Sequence, residues 1–289
     1  MVLTNLHIHS GSKSSRKHLS FRFILAGSIA AACAIIFLGT QSAGAQTVTW
    51  AIAGDGTWDT ATGNWTGGSP SANLFVNGDN AIFNNSAGGT ITLSGTISPT
   101  TTAVDGAGNY IFTGASLASG SLTKNGAGTL TLNASNGYAG GTAINSGSIN
   151  LGNQNGFGAG TVTLAGGVNF VTGFEGNLSG GAVPNALILT GGKVTMNVAF
   201  GGPKDIWINT SVSGAGGFTI IGSGRDQGLT LDGAKTFTGG VTLGTVGSVG
   251  DIPNVSINDS NRSQGGHTRD RRIGEHQFRR VSRGSARIF

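Results

Sequence analysis

The stretch running from Leu122 to Gly152, LTKNGAGTLTLNASNGYAGGTAINSGSINLG, decides the fold. Thr129-Leu130-Thr131-Leu132 alternates polar and apolar residues with period two, which makes a short strand with one apolar side and one threonine side. Gly126-Ala127-Gly128 precedes it, and Gly140-Gly141 follows an aromatic residue, Tyr138. A strand this short buries no core alone. It needs others of its kind stacked against it.

The rest of the chain supplies them. Leu130 to Ile144 lines up with Leu229 to Leu243 at a constant offset of 99 residues, so that Leu-Thr-Leu, an aromatic (Tyr138, Phe237), Gly-Gly and an apolar residue recur in order. Looser copies begin at Gly158-Ala159-Gly160, before Leu164, and at Gly214-Ala215-Gly216, before Ile220. The pattern predicts an all-β chain of stacked coils, a parallel β-helix or solenoid with about 20–25 residues per coil. Glycine and asparagine are expected at its corners to supply positive φ. Coils about 4.8 Å apart set threonine over threonine and asparagine over asparagine, as external hydrogen-bonded ladders. Tyr138 and Phe237 are expected at equivalent repeat positions. The competing architecture is a β-sandwich, which also has regularly spaced strands. A recurring Gly-x-Gly before each strand favours the solenoid.

Composition agrees. Of 289 residues, 53 are glycine and 10% are charged, against about 25% in an ordinary soluble domain. No three-residue glycine period signals collagen, and so much glycine opposes a helix-rich fold. The net charge of +5 divides into unlike parts: +4 over residues 1–45, −5 over 46–260 and +6 over 261–289. The middle is mildly acidic, so the overall basicity is no phosphate footprint and no nucleic-acid partner is expected.

The run from Leu122 to Gly152 resembles the autotransporter-associated β-strand repeat of bacterial surface passengers. The features that carry the resemblance are Lys124, Gly126-x-Gly128, Leu130-x-Leu132, Tyr138, Gly140-Gly141-Thr142 and Ile144-x-x-Gly147-x-Ile149. The copy at Leu229–Val249 is weaker, with Asp232 and Lys235 in its turn and Val241 in place of the threonine. Asp55 to Trp65 and Gly78 to Phe83 are similar to the leader of such proteins. The resemblance spans roughly residues 48–250. It implies a right-handed parallel β-helix, export across an inner membrane, and a cell-surface, periplasmic or extracellular location. It implies no known reaction.

Four segments follow. Residues 1–45 read as a signal peptide with a signal helix: basic residues to Arg22, an apolar run from Phe23 to Gly39, and a small-residue cleavage site at Ala43-Gly44-Ala45. Residues 46–120 read as an N-terminal cap with the leading coils, and residues 121–260 as the repeat solenoid. Residues 261–289, with eight arginines, read as an irregular, disordered tail, either the product of a reading-frame change or a genuine basic segment. Nothing after position 250 resembles a membrane-spanning barrel, so the chain reads as a fragment or as an exported protein that depends on another.

Chemistry is sparse. Residues 46–260 contain no histidine and no cysteine, which removes Ser-His-Asp and Cys-His catalysis and histidine-based zinc sites. The acids are Asp55, Asp59, Asp79, Asp105, Glu175, Asp205, Asp226, Asp232, Asp251 and Asp259, and no pair recurs at one coil spacing. Asp55 and Asp59 lack the residue order of a calcium loop. Arg225-Asp226 reads as a loop ion pair. No catalytic, cofactor-binding or metal-ligating residue is assigned, and no cofactor is expected. Trp50, Trp58, Trp65 and Phe83 read either as an end cap or as a sugar-stacking platform, and the cap is preferred. Trp207 is expected in or on a strand. The function read from the sequence is a non-enzymatic, exported passenger or stalk used in adhesion. Its expected partners are cell-surface glycans or matrix, and the export machinery. The alternative is a carbohydrate-active β-helix enzyme, a polysaccharide lyase or glycoside hydrolase.

Overall fold

Inward-facing apolar residues on strands of two to six residues stack one above another from Val48 to Val241. The computed structural model describes residues 44–67, 73–172, 182–197, 205–222, 228–245, 254–258 and 286–288. All of these belong to one unit, Ala43–Phe289. The residues read as a signal helix, and most of the arginine-rich tail, lie outside the described residues, as do Glu175 and Arg225-Asp226.

The described residues are all β, and they form a parallel solenoid. A first sheet stacks Thr47–Trp50, Asn80–Phe83, Thr101–Val104, Leu122–Lys124, Thr142–Ile144, Val162–Ala165, Leu187–Thr190 and Val212–Gly214, each parallel to the next. A second sheet stacks the following strand of each coil, from Gly56–Trp58 through Thr129–Leu132 and Ser148–Leu151 to Val241–Thr245. Two pairings are antiparallel. Trp65–Gly67 lies against Thr47–Trp50, and Ala286–Ile288 lies against Val241–Thr245. Parallel ladders throughout the body exclude the sandwich, whose sheets are antiparallel.

Register shows the coil length directly. Val104, Lys124, Ile144 and Leu164 occupy one column at intervals of 20 residues, and Leu189 and Gly214 continue it at intervals of 25. The longer coils carry a third sheet of Ala182–Val183, Asp205–Ile208, Gly228–Asp232 and Asn254–Asn258. In the shorter coils that side is a line of single contacts: the Ile97–Leu117 bridge, then Gly137 N–H donating to Leu117 O (2.9 Å) and Ala159 N–H to Tyr138 O (2.8 Å).

This geometry corrects one sequence reading. The 99-residue repeat is not a whole number of coils. Leu130 stacks with Ile149 in the second sheet, whereas Leu229 stacks with Ile206 in the third. Tyr138 and Phe237 therefore occupy different sides of the solenoid. Phe237 packs edge-on against Phe218 at 5.3 Å, and Tyr138 reaches Thr142.

Many corner glycines take positive φ as expected, Gly95, Gly120, Gly141 and Gly147 among them, but two have another cause. Gly126 and Gly128 are not in the positive-φ region. A Cβ on Gly126 would lie 1.8 Å from Gly106 O, and one on Gly128 would lie 2.2 Å from Gly108 O, so stacked corners meet backbone to backbone. Positive φ does apply to Gly141, the second glycine of the Gly-Gly pair, at +88°. The two causes predict different costs. Gly128→Ala should lose about 3 kcal/mol through a clash that a packed corner cannot relieve. Gly95→Ala, at φ +77° with open space around it, should lose about 1 kcal/mol of backbone strain. Urea unfolding midpoints check the order, and equal losses would contradict the close-approach explanation.

Candidate functional site

The repeat from Leu122 to Leu151 is the most distinctive local structure, and its parts span two successive coils. Lys124 ends the strand Leu122–Lys124 in an inward position, between Val104 below and Ile144 above. It is completely buried. Its Nζ turns to the corner and donates to Gly126 O (2.5 Å) and to Ser146 O (3.1 Å), the corner of its own coil and of the next. Ser146 Oγ also donates to Gly126 O (3.2 Å). Gly147 seats that upper corner, since a Cβ there would lie 2.6 Å from both Gly126 O and Gly128 O. Asn185 repeats the device further along, with its buried Nδ2 donating to Gly158 O (2.9 Å) and Gly160 O (2.7 Å). Sequence reading named Lys124 as a motif residue and missed its task. The available signal was its inward parity with Leu122.

Burial lowers the pKa of Lys124 from its ordinary 10.5 by desolvating the ammonium. The neutral amine still has two N–H groups, enough for both carbonyls. In this range the unfolded chain binds more protons than the folded one, so stability rises with pH between the lowered folded value and 10.5. Lys124→Met leaves the carbonyls short of donors and should cost about 1–3 kcal/mol. The rise with alkaline pH should disappear in the variant. Paired urea titrations at neutral pH and near pH 10 test this. A difference between the two proteins that is independent of pH would contradict it.

The aromatic and the threonine of the repeat form a second buried contact. The Tyr138 hydroxyl lies 2.7 Å from Thr142 Oγ1, which in turn donates to Phe157 O at 3.1 Å. Burial pushes the tyrosine pKa up and keeps the phenol neutral. A double-mutant cycle should show coupling. Tyr138→Phe and Thr142→Val should each cost about 1–2 kcal/mol, and together clearly less than the sum, because the pair then leaves no orphaned hydroxyl partner. Additive losses in thermal or urea unfolding would count against a direct bond.

The outer surface carries the expected ladder. Asn145 Nδ2 donates to Asn125 Oδ1 (2.7 Å), and Asn125 Nδ2 donates to Asp105 Oδ1 (2.8 Å), one coil at a time. The other described carboxylates with assigned contacts serve local structure. Asp79 accepts from the N–H groups of Gln46 and Val76, both at 3.0 Å, and Asp55 accepts from Thr90 N–H at 2.7 Å. Asp59 accepts from Ala61 and Thr62 within its own loop, and these bonds, the Ala61 amide foremost, hold its pKa below the ordinary value. Asp232 accepts from the Trp207 indole at 2.8 Å. Among the described residues no three histidine, cysteine or acidic side chains gather as a metal would require, and no helix is long and apolar enough to cross a membrane.

Trp50, Trp58, Trp65 and Phe83 form one buried cluster with Phe75, Tyr110 and Phe112, with ring centroids 4.9–6.0 Å apart. No ring of the four offers a free face for a sugar. The three indole N–H groups have no hydrogen-bond partner, so ring packing holds the cluster together. With Trp65–Gly67 covering the edge of the first sheet, it closes that end of the ladder. Trp207 differs: it stands on the outer face of a third-sheet strand and is 37% exposed.

Residues 122–151 match the family model described as the passenger-associated-transport-repeat. No curated protein and no solved structure matches the chain. The repeat and the parallel solenoid together fit a passenger-like repeat scaffold of the autotransporter kind.

Proposed function

We propose that this chain is an exported, non-enzymatic scaffold, displayed at the cell surface or released from it, which holds an elongated surface out for adhesion to glycans or matrix. The observation that carries the reading is the passenger-associated-transport repeat at residues 122–151, set within a solenoid that continues the same stacking on either side of it. The distribution of chemistry supports it. Among the described residues, Asp55 and Asp79 are tied to backbone amides and Asp105 to the asparagine ladder, where hydrolysis of a glycoside needs two carboxylates facing a cleft. Residues 1–45 would supply the export signal and be removed, and the export machinery is the first partner.

The test is expression of the full chain in a Gram-negative host, with fractionation and N-terminal sequencing. The expected product begins at Gln46 and lies outside the cytoplasm, and cells producing it adhere better to glycan-coated or matrix-coated surfaces. An uncleaved chain retained in the cytosol would overturn the export reading. Correct export without any gain in adherence would overturn the adhesive one.

A further inference from the structure

Among the described residues, Trp207 breaks the rule that the other large aromatic side chains follow. The chain has four tryptophans, and three of them are no more than 2% exposed. Trp207 lies in the strand Asp205–Ile208, where Ile206 and Ile208 fill the core, and its own side chain points outward. Along its ladder the register partners are Ala182 on one side and Thr230 on the other. Neither is large enough to cover an indole. The ring is also fixed, because Nε1 donates to Asp232 Oδ2 at 2.8 Å from the adjacent coil. Asn209, just beyond the strand, is exposed as well.

We propose that Trp207, Asp232, Thr230 and Asn209 form a binding site for a neutral pyranoside, one or two residues of an oligosaccharide chain. A pyranose ring has an apolar C–H face that packs on an indole and a rim of hydroxyls that needs donors and acceptors. The exposed part of the ring supplies the first. The Thr230 hydroxyl, one strand spacing away, supplies the second, with the Asn209 amide two residues along the chain and the second carboxylate oxygen of Asp232 on the adjacent coil. A ring already held in place loses little freedom on binding, so a small site suffices. The carboxylate disfavours anionic glycans and selects uncharged ones. The site deepens the adhesive reading and rests on it for its biological setting, but its chemistry belongs to the purified protein.

The test uses the purified full chain with maltohexaose, cellohexaose and N-acetylchitohexaose as neutral probes and a heparin hexasaccharide as the anionic one. Binding is read by calorimetry and by protection of tryptophan fluorescence from acrylamide, to which the three buried indoles contribute little. At least one neutral probe should bind saturably with a roughly millimolar Kd. Trp207→Ala should abolish that binding, Trp207→Phe should weaken it several-fold, and Asp232→Ala should weaken it by freeing the ring. Circular dichroism checks that each variant keeps its β signal. Absence of binding by every neutral probe, equal binding by Trp207→Ala, or binding of heparin alone would overturn the proposal. A failure of export in cells leaves these binding results unaffected, so the two readings fail separately.

Discussion

Consecutive coils of this solenoid sit one strand spacing apart at the corners as well as along the sheets, and most of its structure follows from that closeness. Within a sheet the spacing is no burden, because each N–H meets a carbonyl of the next coil. At a corner the chain turns and the match fails. Two consequences appear in the sequence. Side chains disappear where backbones touch, as at Gly126 over Gly106 and Gly128 over Gly108. Carbonyls left without amides take donors from inward or edge side chains, as Gly126 O and Ser146 O do from Lys124, and Gly158 O and Gly160 O from Asn185. A lysine in a core is costly by itself. Here burial favours the neutral amine, and that amine donates to two corner carbonyls that no backbone amide reaches.

The parallel stack, the coil length and the external asparagine ladder were legible in the sequence because they rest on period two and on turn residues. The face on which a strand lies was not. Leu-Thr-Leu says which side chains turn inward but not which sheet the strand joins. That depends on the number of residues since the previous corner, and the count changes after Leu164, where coils grow from 20 residues to 25. The copy at Leu229 therefore aligns with Leu130 in sequence and stacks with Ile206 in space. The reason for Gly126 and Gly128 was hidden in a similar way. Positive φ is a local property that a turn can announce, whereas the atom blocking a Cβ on Gly126 belongs to a residue one coil earlier.

Aromatic residues show the same division between what periodicity fixes and what it leaves open. Trp50, Trp58 and Trp65 sit where the ladder begins and strand edges would otherwise be bare, so their burial follows from the need to close an end. Trp207 lies in the body of the stack, where inward positions are already filled by Ile206 and Ile208. Its alternation in Asp205-Ile206-Trp207-Ile208 places it outward by parity, and the small residues on neighbouring coils leave it uncovered. The asparagine ladder satisfies itself from coil to coil and presents little that is distinctive. An indole among such residues gives this stretch of the third sheet a chemistry that its register neighbours Ala182 and Thr230 lack.

The length of the matched repeat has a physical meaning. Residues 122–151 exceed one 20-residue coil by half, and the excess adds the second of two stacked corners. Lys124, Gly126 and Gly128 form the lower corner, Ser146 and Gly147 the upper, and the lysine amine and the serine hydroxyl bond across the junction. The recurring unit is thus a junction between coils, which explains why it reaches past the strand that would complete a single turn. At a different corner, the one that leads into the first-sheet strand Val162–Ala165, Asn185 bonds to the carbonyls of Gly158 and Gly160 from 25 residues or more further along the chain. Those coils carry only a looser copy of the repeat in sequence, yet they solve a similar problem of carbonyls and close backbones. The solenoid therefore extends well beyond the segment that announces it, because stacking selects for satisfied corners and tolerates several side chains that satisfy them.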